Sequence, residues 1–312
     1  MAFSATVLYD RPPSVFRRAT AEEAHTLFTR LHATAAVPDV IGRGIPPSAG
    51  GTILTELVDA ASSRGSARDR QSQASTSSLS GMAHKRSSSR ATRWVRRGDS
   101  AKITENTKTI QQVLWRRDRP ALLISATSWT ADEDFSILVD AIVKYDAAAA
   151  VADTSRTDAR LPNLLILVTG KGPMRAEYER KIAALPLTAV AVRTLWLEAA
   201  DYPRLLGCGD MGVCLHTSSS GLDLPMKVVD MFGAGMPVAA VAFSCLGELL
   251  RDGENGRVFR SSDELATQLQ EMLRGFPGEP AAGRLHELGA GVAKFQAVRW
   301  QDNWDANARQ FF

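Results

Sequence analysis

From about Arg119 onward, short apolar runs alternate with helical patterns. The runs are PALLISAT, NLLILVTG, VAVRTLWL, MGVCLHT and MPVAAVAF; between them stand DFSILVDAIVKYDAAAA, RAEYERKIAAL, a helix near YPRLLGCG, and LPMKVVDMFGAG. Continuous rather than alternating apolar runs mark strands whose sheet is covered on both faces. The pattern predicts a doubly wound α/β domain with a parallel sheet over residues 119–312, ending in two helical stretches from about Ser262 and about Arg284. In such sheets ligands bind outside the carboxyl ends of the strands, so chemistry is sought in the loops that follow them.

The preceding chain reads differently. Within residues 1–41, ATVLY is a strand-like run and AEEAHTLFTRLH a helix opened by Thr20, with Glu22 and Glu23 where acids suit the helix dipole. The DRPP between them is extended or a turn, because each proline disfavours helix in its predecessor. So short a piece buries little core alone and is expected to be the end of something larger. Residues 42–118 are poor in large apolar side chains. Residues 62–90 hold eleven serines, with only Leu79 and Met82 as large apolar residues, a composition that predicts disorder. A tether for an anionic membrane surface or for nucleic acid is the functional alternative, although no aromatics are interleaved as specific RNA recognition requires.

Charge sharpens this division. The chain carries 37 Lys and Arg against 34 Asp and Glu, a net +3. Nine basic residues and one acid fall between Ser62 and Arg97, leaving net −5 elsewhere. A globally basic nucleic-acid binder is excluded, and no nucleic-acid partner is expected. Cys208, Cys214 and Cys245 cannot all pair and show no CxxC spacing, which predicts reduced thiols and no metal site. No run approaches a membrane-spanning length, and the start is too weakly apolar for a secretory signal.

Four loops carry candidate chemistry. In ATSWTADEDF, Thr127 and Ser128 offer hydroxyl and backbone N–H donors to a phosphate; the competing reading is helix capping by Thr130 or Asp132. In VTGKGP, Gly170 and Gly172 permit close backbone approach and Lys171 supplies a cation, a weak signal alone that matches neither a Walker loop nor G-x-G-x-x-G. In LWLEAADYPRLLGCGD, Trp196 is expected in the core, while the backbone from Trp196 through Leu197 to Glu198 can meet a planar base edge. The fourth, HTSSSGLDLPMKVVDMFGAGMPV, is the most informative. The tract Ser218, Ser219, Ser220 and Gly221 can form an anion-binding concavity, and Lys227 and Asp230 share a helix face. A cation there can meet a diphosphate and a carboxylate the two hydroxyls of a ribose; a solvated ion pair between them is the bland alternative.

This fourth loop resembles the donor-binding motif of GT-B glycosyltransferases, a P-x-K-x-x-[ED] helix ending in a-x-G-x-P-V, standing here as Pro225 to Asp230 and Gly233 to Val238. Longer strings narrow the resemblance. ATSWTADEDFSILVDAIVKYD, LPNLLILVTGKGP, TLWLEAADYPRLLGCGDMGVCLHTSSSGLDLPMKVVDMFGAGMPV, LLRDGENGRVF and YDRPPSVFRR are similar to the chitobiosyldiphosphodolichol β-mannosyltransferases, over about residues 5–31 and 119–312. That family adds the first mannose of the lipid-linked N-glycan precursor.

The resemblance implies a Rossmann-like carboxy-terminal lobe of a GT-B enzyme, most of whose amino-terminal lobe is expected to be absent from this chain. Residues 1–41 would be the remnant of that acceptor lobe, 42–118 an insert, and 119–312 the GDP-sugar-binding domain. It implies inverting β-1,4 transfer from GDP-mannose to dolichol-diphosphate-linked chitobiose without a metal or other cofactor. Lys227 and residues 218–221 would hold the GDP diphosphate, Asp230 the ribose, and Gly170 to Gly172 the same cleft. Retaining relatives carry an E-x7-E pattern; here Ser220 stands near its first position and Asp223 is the only nearby acid, which fits inversion and leaves the role of Asp223 open. The catalytic base is expected from the amino-terminal lobe. The family's setting is the cytosolic face of the endoplasmic reticulum membrane, with other mannosyltransferases of that compartment as partners.

Overall fold

Successive residues of the first long strand enter different cores. The computed structural model describes residues 7–42, 44–59, 111–152, 160–217, 220, 222–278 and 283–312. Along β3 (Ala121–Ala126; β1 is Thr55–Asp59 and β2 Gln111–Trp115), Leu122 and Ile124 join one buried cluster, and Ala121 and Leu123 the other. Two-residue periodicity forces this split, and both sides are covered, which suits the unbroken apolar run Ala121–Ile124.

The sheet continues with β4 (Leu164–Thr169), β5 (Val190–Leu195), β6 (Met211–Cys214), β7 (Val238–Val241) and β8 (Gly256–Phe259), all parallel, in the spatial order β5-β4-β3-β6-β7-β8. The helices are α1 (Ala21–Ala33), α2 (Ser136–Ala152), α3 (Arg175–Ala183), α4 (Tyr202–Cys208), α5 (Met226–Gly233), α6 (Ser262–Leu273), α7 (Arg284–Gln296) and α8 (Trp300–Asn307). Side chains of α1, α4 and α5 fill one core and those of α2, α3 and α6 the other, while α7 serves both, with Val292 in the first and Leu288 in the second. Strand order reverses between β3 and β6, so the loops leaving these neighbours diverge and open a crevice at their carboxyl ends.

Local chemistry sets the element ends. Thr20 and Glu23 form a reciprocal capping box at the start of α1, as its sequence predicts. Arg17 and the Thr20 N–H hold the Glu23 carboxyl down to about 2. Helix α5 stops at Gly235, whose φ of +80° suits the left-handed position after a helix. The Asp146 carboxylate in the second half of α2 accepts the N–H groups of Thr188, Ala189 and Val190 at 2.7–3.2 Å, fixing the entry to β5.

The amino-terminal expectations are modified. Val7 to Tyr9 lie in no strand. Met1–Glu56 and Val113–Phe312 form one compact unit, and Leu57–Gln112 a second. Residues of the first 56 thus belong to the same body as the large sheet: Phe16, Leu27, Phe28 and Leu54 are buried in its core. Between residues 42 and 56 order comes from local polar closure, with the Thr52 and Thr55 hydroxyls 2.7 Å apart and Arg116 donating to the Ile45 carbonyl at 2.6 Å. The serine-rich segment lies outside the described residues. Separate from the two expected terminal helices is α8, which ties back to the start of the chain through Asn303 Nδ2 donating to the Tyr9 carbonyl at 2.7 Å.

Candidate active site

The crevice is built by the loops after β3 and β6 and by helix α5. Thr127 begins the first loop, its N–H donating to the Thr169 carbonyl at 2.9 Å. Trp129 follows with φ +52°, a left-handed conformation that a bulky residue keeps only when its surroundings enforce it. Its indole packs against Phe135 and Tyr178, with ring centroids 4.6 and 6.0 Å away. Gly170 and Gly172 let the β4 loop press onto this one: a Cβ at either would overlap the carbonyl oxygen of Thr127 or Ser128. The glycine spacing in VTGKGP is therefore a requirement of loop packing, whatever it also does for a ligand.

Glu133 organises the crevice, and the sequence reading did not single it out. It is 2% exposed, and its carboxylate accepts the Thr127 hydroxyl, the Ser128 N–H at 3.1 Å, and the Lys227 ammonium from helix α5. His216, just after β6, places Nδ1 3.8 Å from the same carboxylate. The available signal was the run of three acids in TADEDF beside two hydroxyl residues; which acid turns inward depends on the path of the loop. The alternative capping role for Thr130 or Asp132 does not occur. The Thr130 hydroxyl pairs with Ser128 at 2.9 Å, and Asp134 accepts the Ser136 N–H at 3.0 Å at the start of α2.

Lys227 and Asp230 do not form the i,i+3 ion pair considered from sequence, because Glu133 takes the ammonium. Among the described residues no hydrogen bond or ion pair reaches the Asp230 carboxylate. It is partly buried beside Tyr202, and burial pushes its pKa up to about 6. An unsatisfied, partly desolvated carboxylate in a crevice is a mark of a binding or reacting position. Ser220 donates to Asp223 at 3.1 Å, and both are exposed. Ser218, Ser219 and Gly221 lie outside the described residues.

Trp196 corrects a core assignment. It is 60% exposed, with the Lys171 ammonium 3.9 Å from its ring centroid. Leu195 takes the inward position at the end of β5, so its neighbour is turned outward, while Leu197 is partly buried. The structure thus brings Thr127, Ser128, Lys227 and Asp230 to the crevice between β3 and β6, with Gly170 and Gly172 packed on its first loop. Lys171 and Trp196 stand on the next loops of the same sheet edge. Two recesses, of about 540 and 1040 Å³, lie elsewhere and contain none of the candidate site residues. Among the described residues no group of three or more His, Cys, Asp and Glu side chains gathers as a metal site requires, and no helix is long and apolar enough to cross a membrane.

The sheet has the doubly wound, Rossmann-like order that a GT-B lobe shares with many nucleotide-binding domains, and residues 138–275 match the family described as glycosyl transferases group 1. More narrowly, the chain is similar in sequence to the chitobiosyldiphosphodolichol β-mannosyltransferases. It is 52% identical to the human enzyme of that name over 188 residues, 60% of this chain and 39% of that protein. It is 42% identical over 313 residues to "UDP-glycosyltransferase TURAN" of Arabidopsis thaliana, covering 98% of this chain and 57% of that one. The chain therefore spans roughly two-fifths to three-fifths of the length of these relatives. A solved lipopolysaccharide glycosyltransferase, WaaG, superposes with a TM-score of 0.45 at 16% identity, over 60% of this chain and 46% of that one.

Proposed function

We propose that this chain binds the GDP moiety of GDP-mannose in the crevice between β3 and β6, as the donor half of a metal-independent, inverting β-1,4-mannosyltransferase. The acceptor in this reading is dolichol-diphosphate-linked chitobiose, at the cytosolic face of the endoplasmic reticulum. The similarity to the mannosyltransferases named above supports the sugar and acceptor. The observation that carries the reading is the Asp230 carboxylate, left without a partner one helical turn from Lys227 at the carboxyl edge of the sheet.

In this reaction the acceptor hydroxyl attacks the anomeric carbon, and the bond from that carbon to the diphosphate oxygen breaks. The diphosphate leaves with the electron pair, while the hydroxyl proton passes to a general base that we assign to no residue of this chain. Lys227 and the amides around Ser220 neutralise charge on the leaving group. Asp230 accepts the two ribose hydroxyls, which replaces lost hydration with hydrogen bonds. Trp196 offers an aromatic face to the base.

A donor carrying UDP is the second reading, favoured by the name of the Arabidopsis relative. Calorimetric titration of the full chain with GDP, GDP-mannose, UDP and UDP-sugars, in buffer containing a chelator, separates the two. Preference for the guanine nucleotides supports the first; preference for UDP replaces it with the second; binding of none removes both.

A further inference from the structure

Resting on the donor reading above, the geometry points to a second basic side chain for the diphosphate. We propose that Glu133 aims both Lys227 and His216 at one phosphate station, and that His216 contacts the diphosphate directly.

The two oxygens of Glu133 serve different sides of the crevice. Oε2 accepts from Thr127 and Ser128 of its own loop, while Oε1 accepts from Lys227 and lies 3.8 Å from His216 Nδ1. Exposure then orders these groups in depth. The Glu133 side chain is 1% exposed, and those of Lys227 and His216 are 21% and 27% exposed. An anion entering from solvent meets the two nitrogen groups first, with the carboxylate behind them. Glu133 uses one of the three ammonium donors of Lys227, leaving two for phosphate oxygens. Its approach to Nδ1 of His216 leaves Nε2 as the ring nitrogen it does not engage.

The β6 loop is held in register for this task. Thr217 donates to the Asp132 carbonyl at 3.0 Å, so the residue after His216 ties the β6 loop to the β3 loop. Asp132 is the other acid near the ring. It is exposed, and its pKa is held below the usual range chiefly by the Thr130 hydroxyl. The buried carboxylate thus acts as a positioning residue. Without it, a lysine with four rotatable bonds has no fixed station beside the switch point.

The test compares GDP with guanosine, which keeps the base and ribose and lacks the phosphates. Titrations use the full chain as wild type, His216→Gln, Glu133→Gln, Lys227→Ala and the Glu133→Gln/Lys227→Ala double variant. We expect His216→Gln to weaken GDP roughly tenfold, the scale of one charge-assisted hydrogen bond, with guanosine changed less than about twofold. Glu133→Gln should weaken GDP and reduce the further effect of Lys227→Ala, because both changes remove one function. Equal weakening of GDP and guanosine means a merely structural role and overturns the inference. So does unchanged GDP affinity in His216→Gln, which tests His216 even if Glu133→Gln folds poorly. If wild type binds no nucleoside diphosphate, the donor reading itself fails and this inference with it. If wild type binds UDP instead, the same comparison is made with UDP and uridine.

Discussion

The Lys171 ammonium lies 3.9 Å from the centroid of the Trp196 indole, joining the loops after β4 and β5 through a cation–π contact at the sheet's carboxyl edge. Two residues from separate loops are thereby held together where solvent reaches both. The contact covers one face of an exposed ring, and a contact of this kind stabilises by only about 0.5–1 kcal/mol at an exposed site. Its value therefore lies in orienting the ring more than in stability.

Trp196→Ala should accordingly leave the melting temperature within about 2 °C of wild type, since little core contact is lost. Nucleoside diphosphate affinity should fall about fivefold or more, the lower end of base–aromatic stacking. Thermal melts and calorimetry measure the two effects. A large drop in melting temperature with unchanged affinity would return Trp196 to a packing role.

Asp230 links binding, stability and pH. Burial raises its pKa to about 6, so in the folded state the charged form is disfavoured relative to the unfolded chain. The resulting destabilisation is fully present above about pH 6 and fades as the pH falls through the unfolded carboxylate value near 4. Asp230→Asn should therefore stabilise the apo protein at pH 7.5 by roughly 1 kcal/mol, allowing for screening by the water that reaches the group. The gain should vanish near pH 4. The same variant should weaken GDP binding at pH 7.5 by roughly 1–3 kcal/mol through the lost ribose hydrogen bonds. Denaturant unfolding at the two pH values, with parallel titrations, checks both signs.

Asp210 anchors the amino end of β6. Its carboxylate accepts both terminal nitrogens of Arg119 at 2.7 and 2.8 Å and the Leu122 N–H at 2.8 Å, with both charged side chains largely buried. Asp210→Ala leaves a buried guanidinium without its counter-charge and an amide without its acceptor. Destabilisation of about 3–5 kcal/mol is expected in urea unfolding. A change below about 1 kcal/mol would show that water compensates Arg119.

Gly170→Ala tests the seam between the β3 and β4 loops. A Cβ there overlaps the Thr127 carbonyl oxygen, and φ is +139°, where side chains are strained. Loss of at least about 2 kcal/mol of stability is expected, with the Thr127 loop displaced. Retention of wild-type stability and nucleotide affinity would mean that the seam yields at little cost.

Apolar runs from PALLIS to MPVAAV and the helices between them are legible as linear pattern. A strand covered on both faces reads as a nearly continuous apolar run, and a capped helix carries its signals within one turn, as Thr20 and Glu23 do. The motif around Lys227 and Asp230 is legible for the same reason: three residues of helix place them on one face before any packing is known. Tertiary structure alone decided where those side chains go. Glu133 lies 94 positions from Lys227, and only strand order, with β3 beside β6, brings them into contact. The inward turn of Glu133 rather than Asp132 or Asp134, and the outward turn of Trp196, depend on loop paths that no local propensity encodes. Charge pairing, desolvation of Asp230 and exposure of an aromatic face are properties of neighbours distant in sequence, and they come into being with the fold.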